Sequence, residues 1–361
     1  MVEQTNNENN ATHLRAEASR LASLTSLEDS NPRQKTLLVI DLISVLGILI
    51  LVDILIGLYA PQRVPLGLPL VSTTICLNIL LALFFLLGRE NIQHFLIIRL
   101  HNNQRLTGYL LLLLLGTYLF YAFGTLSFEL VPFLKLTAYI LSPTLLILIG
   151  RKFSDSIRTL DFLAVLALWL PLDFRWTRDA WSWPNHSLAY SLNSLLATSL
   201  ATFLFVVVRQ VPDIGYAFRI RSKEVLIGFY HFLGFAPIAI PIALVTGFVH
   251  FSGHFYSLWR FLLSLAGIFI FIAVPEELLF RGIIQNFMQR CCLSPLVALA
   301  VTSVLFGAAH LNNGPTPDWR YFLLATVAGL FYGNAYRLTR NLMAPAIVHT
   351  LVDTVWRSFF R

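Results

Sequence analysis

The sequence predicts an all-α fold, a polytopic transmembrane helical bundle of about 10–11 spans. Three observations carry this reading. Of 361 residues, 57% are hydrophobic and only 12% charged, with a mean hydropathy of +0.70; an ordinary soluble domain carries about 25% charged residues. The apolar residues fall in continuous Leu/Ile/Phe/Val/Ala runs close to the ~20 residues that cross a bilayer as a helix. Those runs lack the alternating pattern of barrel strands, and only helices or closed barrels satisfy the backbone in lipid.

In chain order, residues 1–34 form a polar Asn/Glu/Ser-rich tail. It has no apolar core of a signal peptide, so the first span serves as the membrane address. Spans are expected near 37–59, 66–87, 106–126, 133–149, 160–172, 188–208, 225–250, 259–290, 295–311, 321–338 and 342–358. These divide into an N-terminal transmembrane region, 35–258, and a core at 259–361. The 160–172 segment is short for a bilayer. The 259–290 segment is long and holds Pro275, which removes a helical hydrogen bond and should kink the helix. Asp41 and Asp53 in the first span read as an interfacial charge and a helix-packing contact, with a proton path as the alternative. In the loop at 173–187, Trp176, Trp181 and Trp183 read as an interfacial belt, with substrate docking as the alternative.

The net charge is +7, from 26 Lys and Arg against 19 Asp and Glu. The basic residues lie between spans, where orientation and anionic lipid headgroups account for them, so nucleic acid is not an expected partner. Arg89, Arg99, Arg105, Arg151, Lys152 and Arg158, with Arg209 to Lys223, Arg290, Arg337 and Arg340, share one side with the N-terminus. The other side has fewer, among them Arg63, Arg175, Arg178 and Arg320. The positive-inside rule then makes the N-terminus cytoplasmic, in a plasma membrane or a thylakoid-type inner membrane. Cys76, Cys291 and Cys292 form neither a disulfide framework nor a CxxC site, and the adjacent pair reads as inert rather than palmitoylated.

Charged side chains inside apolar helices cost about 2.5–3.5 kcal/mol each on insertion scales, so a cluster of them asks for a reason. Glu276, Glu277 and Arg281 interrupt the apolar run Ile270–Ile284. Glu277 and Arg281, four apart, share a helix face and can pair, which leaves Glu276 as the spare carboxylate. His310 closes the next span, and His349 and Asp353 lie four apart in the last. At 1.5 Å per residue, Glu276 and His310 lie about 21 and 22 Å from the turn at Cys291–Ser294. His349 and Asp353 lie about 13 and 20 Å past Arg340, so the four can share one layer. A dry carboxylate can act as general base toward water, and imidazoles can orient that water or serve an oxyanion. Glu276, His310, His349 and Asp353 are also a ligand set for a divalent metal such as Zn. The chemistry indicated is attack of activated water on a carbonyl, most simply hydrolysis of a peptide bond in a membrane protein or peptide substrate.

These residues resemble a known family. Glu276-Glu277-Leu-Leu-Phe-Arg281 fits the EExxxR motif, Phe306-Gly-Ala-Ala-His310 the FxxxH motif and His349-Thr-Leu-Val-Asp353 the HxxxN/D motif of the CPBP family of CAAX proteases and bacteriocin-processing proteins, also called Abi. The resemblance covers about residues 259–358 and implies an intramembrane endopeptidase of the Rce1 type. It implies that Glu276 and His310 activate water and that Arg281 anchors Glu277. It further implies that His349 and Asp353 stabilise an oxyanion or bind metal. Rce1-type enzymes carry Asn at the last position; an ionised Asp353 accepts only, which disfavours the oxyanion role and suits a metal or the orientation of His349. The family's prenyl-protein substrate is not implied, because many members have no prenylated target.

Two other classes compete. A non-catalytic membrane protein of the same fold, a bacteriocin-immunity or assembly factor, would not need the complete motif set. A proton-coupled transporter would use Glu276 and the histidines as a relay, yet no internal repeat is visible. Signatures of zincin-like, rhomboid-type and presenilin-type sites are missing.

Overall fold

A computed structural model describes residues 32–153, 156–252, 257–291, 293–311, 313, 314 and 316–360. Most of the 1–34 tail, and Cys292, lie outside the described residues. Twelve helices follow in order among those described. They are α1 Pro32–Tyr59, α2 Leu68–Leu87, α3 Glu90–Asn102, α4 Leu106–Gly124, α5 Leu130–Phe153 and α6 Thr159–Asp173. Then come α7 Ala189–Val208, α8 Ser222–Val245, α9 Leu258–Cys291, α10 Pro295–His310, α11 Trp319–Thr339 and α12 Met343–Phe359. Seven of them, α1, α2, α4, α5, α7, α8 and α9, are long and apolar enough to cross a membrane.

The sequence places the helix ends. Ser294 precedes Pro295 and accepts from the Val297 amide, Asp318 accepts from the Arg320 amide, and Glu224 accepts from the Arg221 amide at 3.0 Å. Polar contacts between loops define two faces. On the first, basic face, Arg290 donates to Asp213 at 2.5 Å, Arg340 to Gln289 at 2.9 Å, and Arg209 pairs with buried Asp161 at 2.8 Å. On the opposite face, Arg320 donates to the Gly247 carbonyl at 3.0 Å and Ser252 to the Phe359 carbonyl at 3.0 Å.

Two expectations are corrected, and one helix is added. The connection between the second and third spans contains a helix, α3, with Glu90 in its first turn and Arg99 and His101 in its last, which complements the helix dipole. Its Asn91 donates to Asp41 at 2.9 Å, and Asn78 donates to Asp53 at 2.7 Å, so both acids of α1 have local partners. The tryptophan loop is not a belt. Trp181 is fully buried between Tyr118 and Tyr121 and donates to Asn193 at 2.7 Å, leaving only Trp176 of the three exposed. Pro275 does not break its segment. The helical path runs on through α9, with π-helical turns at Phe269–Ala273 and Leu278–Gln285 on either side of it. The Phe271 carbonyl, four residues before the proline, receives the Ser194 hydroxyl at 2.8 Å instead.

Small residues bring α9, α10 and α11 together. A methyl on Gly307 would stand 2.0 Å from Thr326 Oγ1, one on Gly329 would stand 2.9 Å from Ser303 Cα, and one on Gly333 would stand 2.7 Å from Gln285 Oε1 of α9. Close helix contact of this kind replaces the hydrophobic drive that lipid does not supply. It sets the helices that carry Glu276, His310 and the floor beneath them at a fixed distance.

Candidate active site

Glu277 and Arg281 lie at the centre of the core, both fully buried. Arg281 Nη1 donates to Glu277 Oε1 at 3.0 Å, and Nη2 to the Gly329 carbonyl at 3.3 Å. The guanidinium lies over the rings of Phe306 at 4.3 Å and Tyr332 at 5.2 Å. A planar, permanently charged group stacked on aromatic faces suits this dry position better than an ammonium. Phe306 also packs against the His310 ring at 4.4 Å and meets the His349 ring edge-on at 5.8 Å. Its place is therefore support for three polar side chains at once.

The same Glu277 Oε1 receives Nδ1 of His349 at 2.9 Å. Spacing reasoning missed this bond, because it joins residues on α9 and α12 that no local pattern relates. A carboxylate only accepts, so Nδ1 is the donor and Nε2 faces away from Glu277. Tyr332 stacks on the ring at 4.9 Å and fixes its plane. His310 is held in the same tautomeric sense. Its Nδ1 lies 2.8 Å from the Phe306 carbonyl, which can only accept. Both imidazoles therefore present Nε2 to a common point.

Glu276 stands at that point. Its Oε2 is buried without a hydrogen-bond partner among the described residues, 3.8 Å from His310 Nε2 and 3.9 Å from His349 Nε2. Its Oε1 accepts from Tyr190 on α7 at 3.3 Å. Tyr190 has no motif around it and sits 86 residues before Glu276. The structure thus brings Glu276, His310 and His349 together. Asp353 joins only through His349 Nε2, at 3.9 Å, too far for the orienting hydrogen bond expected across one helical turn.

The donor chemistry matches a divalent cation, with two Nε2 lone pairs and a carboxylate converging, each imidazole fixed from behind. The spacing is looser than the chemistry. Separations of 3.8 and 3.9 Å fall between the about 3.4 Å that tetrahedral zinc imposes and the about 4.5 Å set by a shared water. Among the described residues, no three His, Cys, Asp or Glu side chains form a preformed metal-ligand group.

Glu276 and His310 also line a cavity of about 490 Å³ between α6, α7, α9 and the loop that joins α6 to α7. Its walls are largely apolar, including Leu168, Trp169, Phe205, Leu279 and Ile283, and Asp173, Arg175, Arg178 and His186 lie at the loop end. An apolar cleft with a few convergent polar groups is the usual form of a binding site. The loop at 173–187 thus borders the site with its charged residues, while Trp181 and Trp183 anchor it.

Residues 258–355 match the family described as type II CAAX prenyl endopeptidase Rce1-like. Among curated proteins, the uncharacterized protein YpbD of Bacillus subtilis (strain 168) is 30% identical over 87 residues, 24% of this chain and 40% of the relative. The chain thus spans about two fifths of that relative's length. No solved structure matches.

Proposed function

We propose that this chain, a member of the Rce1-like CAAX-protease family over residues 258–355, is an intramembrane endopeptidase in which Glu276 activates the attacking water. The observation that carries the reading is the orphaned Glu276 Oε2, faced by two imidazole nitrogens and opening on the cavity. Glu276 takes a proton from a water held against His310 Nε2, and the water oxygen bonds to the scissile carbonyl carbon. The carbonyl becomes an oxyanion beside His349, whose pairing with Glu277 lets the ring carry a second proton on Nε2 and donate it as a hydrogen bond. The C–N bond then breaks, and the proton held by Glu276 passes to the leaving amine.

A divalent metal, where bound, would be held by Glu276, His310 and His349 with Asp353 beside them, and would acidify the water and polarise the carbonyl. Elemental analysis of purified wild type against Asp353→Asn separates the two versions. Zinc that is lost in the variant assigns the water to a metal, and zinc in neither protein leaves Glu276 as its sole activator.

Membranes carrying His310→Ala are expected to lose cleavage of the substrate while the protein still accumulates and inserts. Full activity in this variant contradicts the reading. Tyr190 is proposed as a positioning residue, because its hydroxyl reaches only the carboxylate. Tyr190→Phe keeps the ring and removes one bond to a charged group, a change of about 1.4 kcal/mol or tenfold. The loss is expected in kcat with KM unchanged, as steady-state kinetics on a peptide substrate would read it.

A further inference from the structure

The cavity lined by Glu276 and His310 is floored by buried apolar side chains at one end and bordered by exposed polar residues at the other, toward the two opposite faces of the bundle. Toward the basic face its lining consists of Val165, Leu168, Phe205 and Ile283, all buried. Beneath them Phe287 packs edge-on against Phe205 at 5.5 Å and against Phe162 at 5.6 Å. Buried apolar and aromatic side chains thus fill the basic-face end of the cavity. At the other end Asp173, Arg175, Arg178, Tyr190 and Asn313 line the cavity and are exposed. Three of these five, Arg175, Arg178 and Asn313, come from the α6–α7 and α10–α11 connections, and Asp173 ends α6, so this end lies in water and not among lipid chains. His310, the last residue of α10, and Glu276 stand between the floor and this mouth.

The charge of the connections orients the two faces. On the basic face every connection carries Lys or Arg or follows a helix end that does: Arg89, Arg99 and Arg105 before α4, Arg158 before α6, Arg209 to Arg221 before α8, Arg290 in the last turn of α9, and Arg340 before α12. On the opposite face the segments 125–129 and 246–257 carry none. That face has Arg63, Arg175, Arg178 and Arg320, with Lys135, Arg260 and Arg357 in helix ends nearby and Arg361 following the last helix in sequence. Lys and Arg in short connections are retained on the cytoplasmic side.

We infer that the cavity opens on the side away from the cytoplasm, or on the lumenal side within an organelle. Its substrate is a polypeptide whose scissile bond reaches Glu276 from that side. The substrate class is then an exported or membrane-anchored polypeptide with its cleaved segment already translocated. The word substrate rests on the protease reading; the direction of opening does not.

Single cysteines in a background of Cys76→Ala, Cys291→Ser and Cys292→Ser test this. The reporters are Arg178→Cys at the mouth, Ala197→Cys on the cavity wall and Lys223→Cys on the basic face, with Arg63→Cys as a second reporter for the mouth face. Sealed cells are treated with a small sulfonated thiol reagent that does not cross membranes. Arg178→Cys, Arg63→Cys and Ala197→Cys should be modified from outside, and Lys223→Cys only after permeabilisation. The mirrored pattern overturns the orientation. Ala197→Cys that stays silent from outside while Arg178→Cys reacts overturns the open cavity. Labelling is read whatever the activity of the chain, so a Glu276→Gln variant that still cleaves would end the protease reading without altering this result.

Discussion

Glu276→Gln is expected to abolish cleavage, lowering kcat by at least about 10³-fold, within the range of a lost general base. The amide keeps the size of the side chain and can still accept from Tyr190, so packing around the cavity is preserved. What it loses is the ability to take a proton from water. The protein should therefore insert, accumulate and unfold like wild type, with only turnover gone. The comparison with Glu277→Gln is informative. Glu277 is fully buried against Arg281 and His349, so its variant should lose stability together with activity.

Arg281→Met should be the most destabilising single change in the core. Removing one partner of a buried ion pair typically costs about 3–5 kcal/mol, because the other charge is left uncompensated. Here Glu277 would keep only His349, and the Gly329 carbonyl and the faces of Phe306 and Tyr332 would lose their cation. Combining it with Glu277→Gln removes the stranded charge. The double variant should then be more stable than the sum of the two losses implies, a coupling that thermal unfolding in detergent measures. Additive losses would show that the pair is not a unit.

Much of this fold was legible because lipid imposes a simple rule. A span must be apolar for about 20 residues, and α1, α2, α4, α5, α7, α8 and α9 obey it. What escaped the sequence obeys other rules. The α3 helix is too short and too mixed to stand out from a loop by hydropathy. Trp181 looked like a membrane anchor because residue type does not reveal that its indole nitrogen has Asn193 waiting in the core. Pro275 signalled a break, but two π-helical turns and the Ser194 hydroxyl absorb the missing bond.

The site divides in the same way. Arg281 beside Glu277 followed from the four-residue spacing on one helix, and the depth count put Glu276, His310, His349 and Asp353 in one layer, of which Asp353 stands off at 3.9 Å from His349. The contacts that give each nitrogen its role cross between helices. His349 answers to Glu277 and not to Asp353, and Glu276 answers to Tyr190 from a segment outside the family match. Local spacing carries no record of such pairs.

Comparative membrane proteomics of a deletion strain and a Glu276→Gln strain tests the central claim most directly. The same uncleaved polypeptides should accumulate in both strains, with the variant protein present at wild-type level. A Glu276→Gln strain whose membrane proteome matches wild type while the deletion strain differs would show that the chain works without this carboxylate, and would contradict the account.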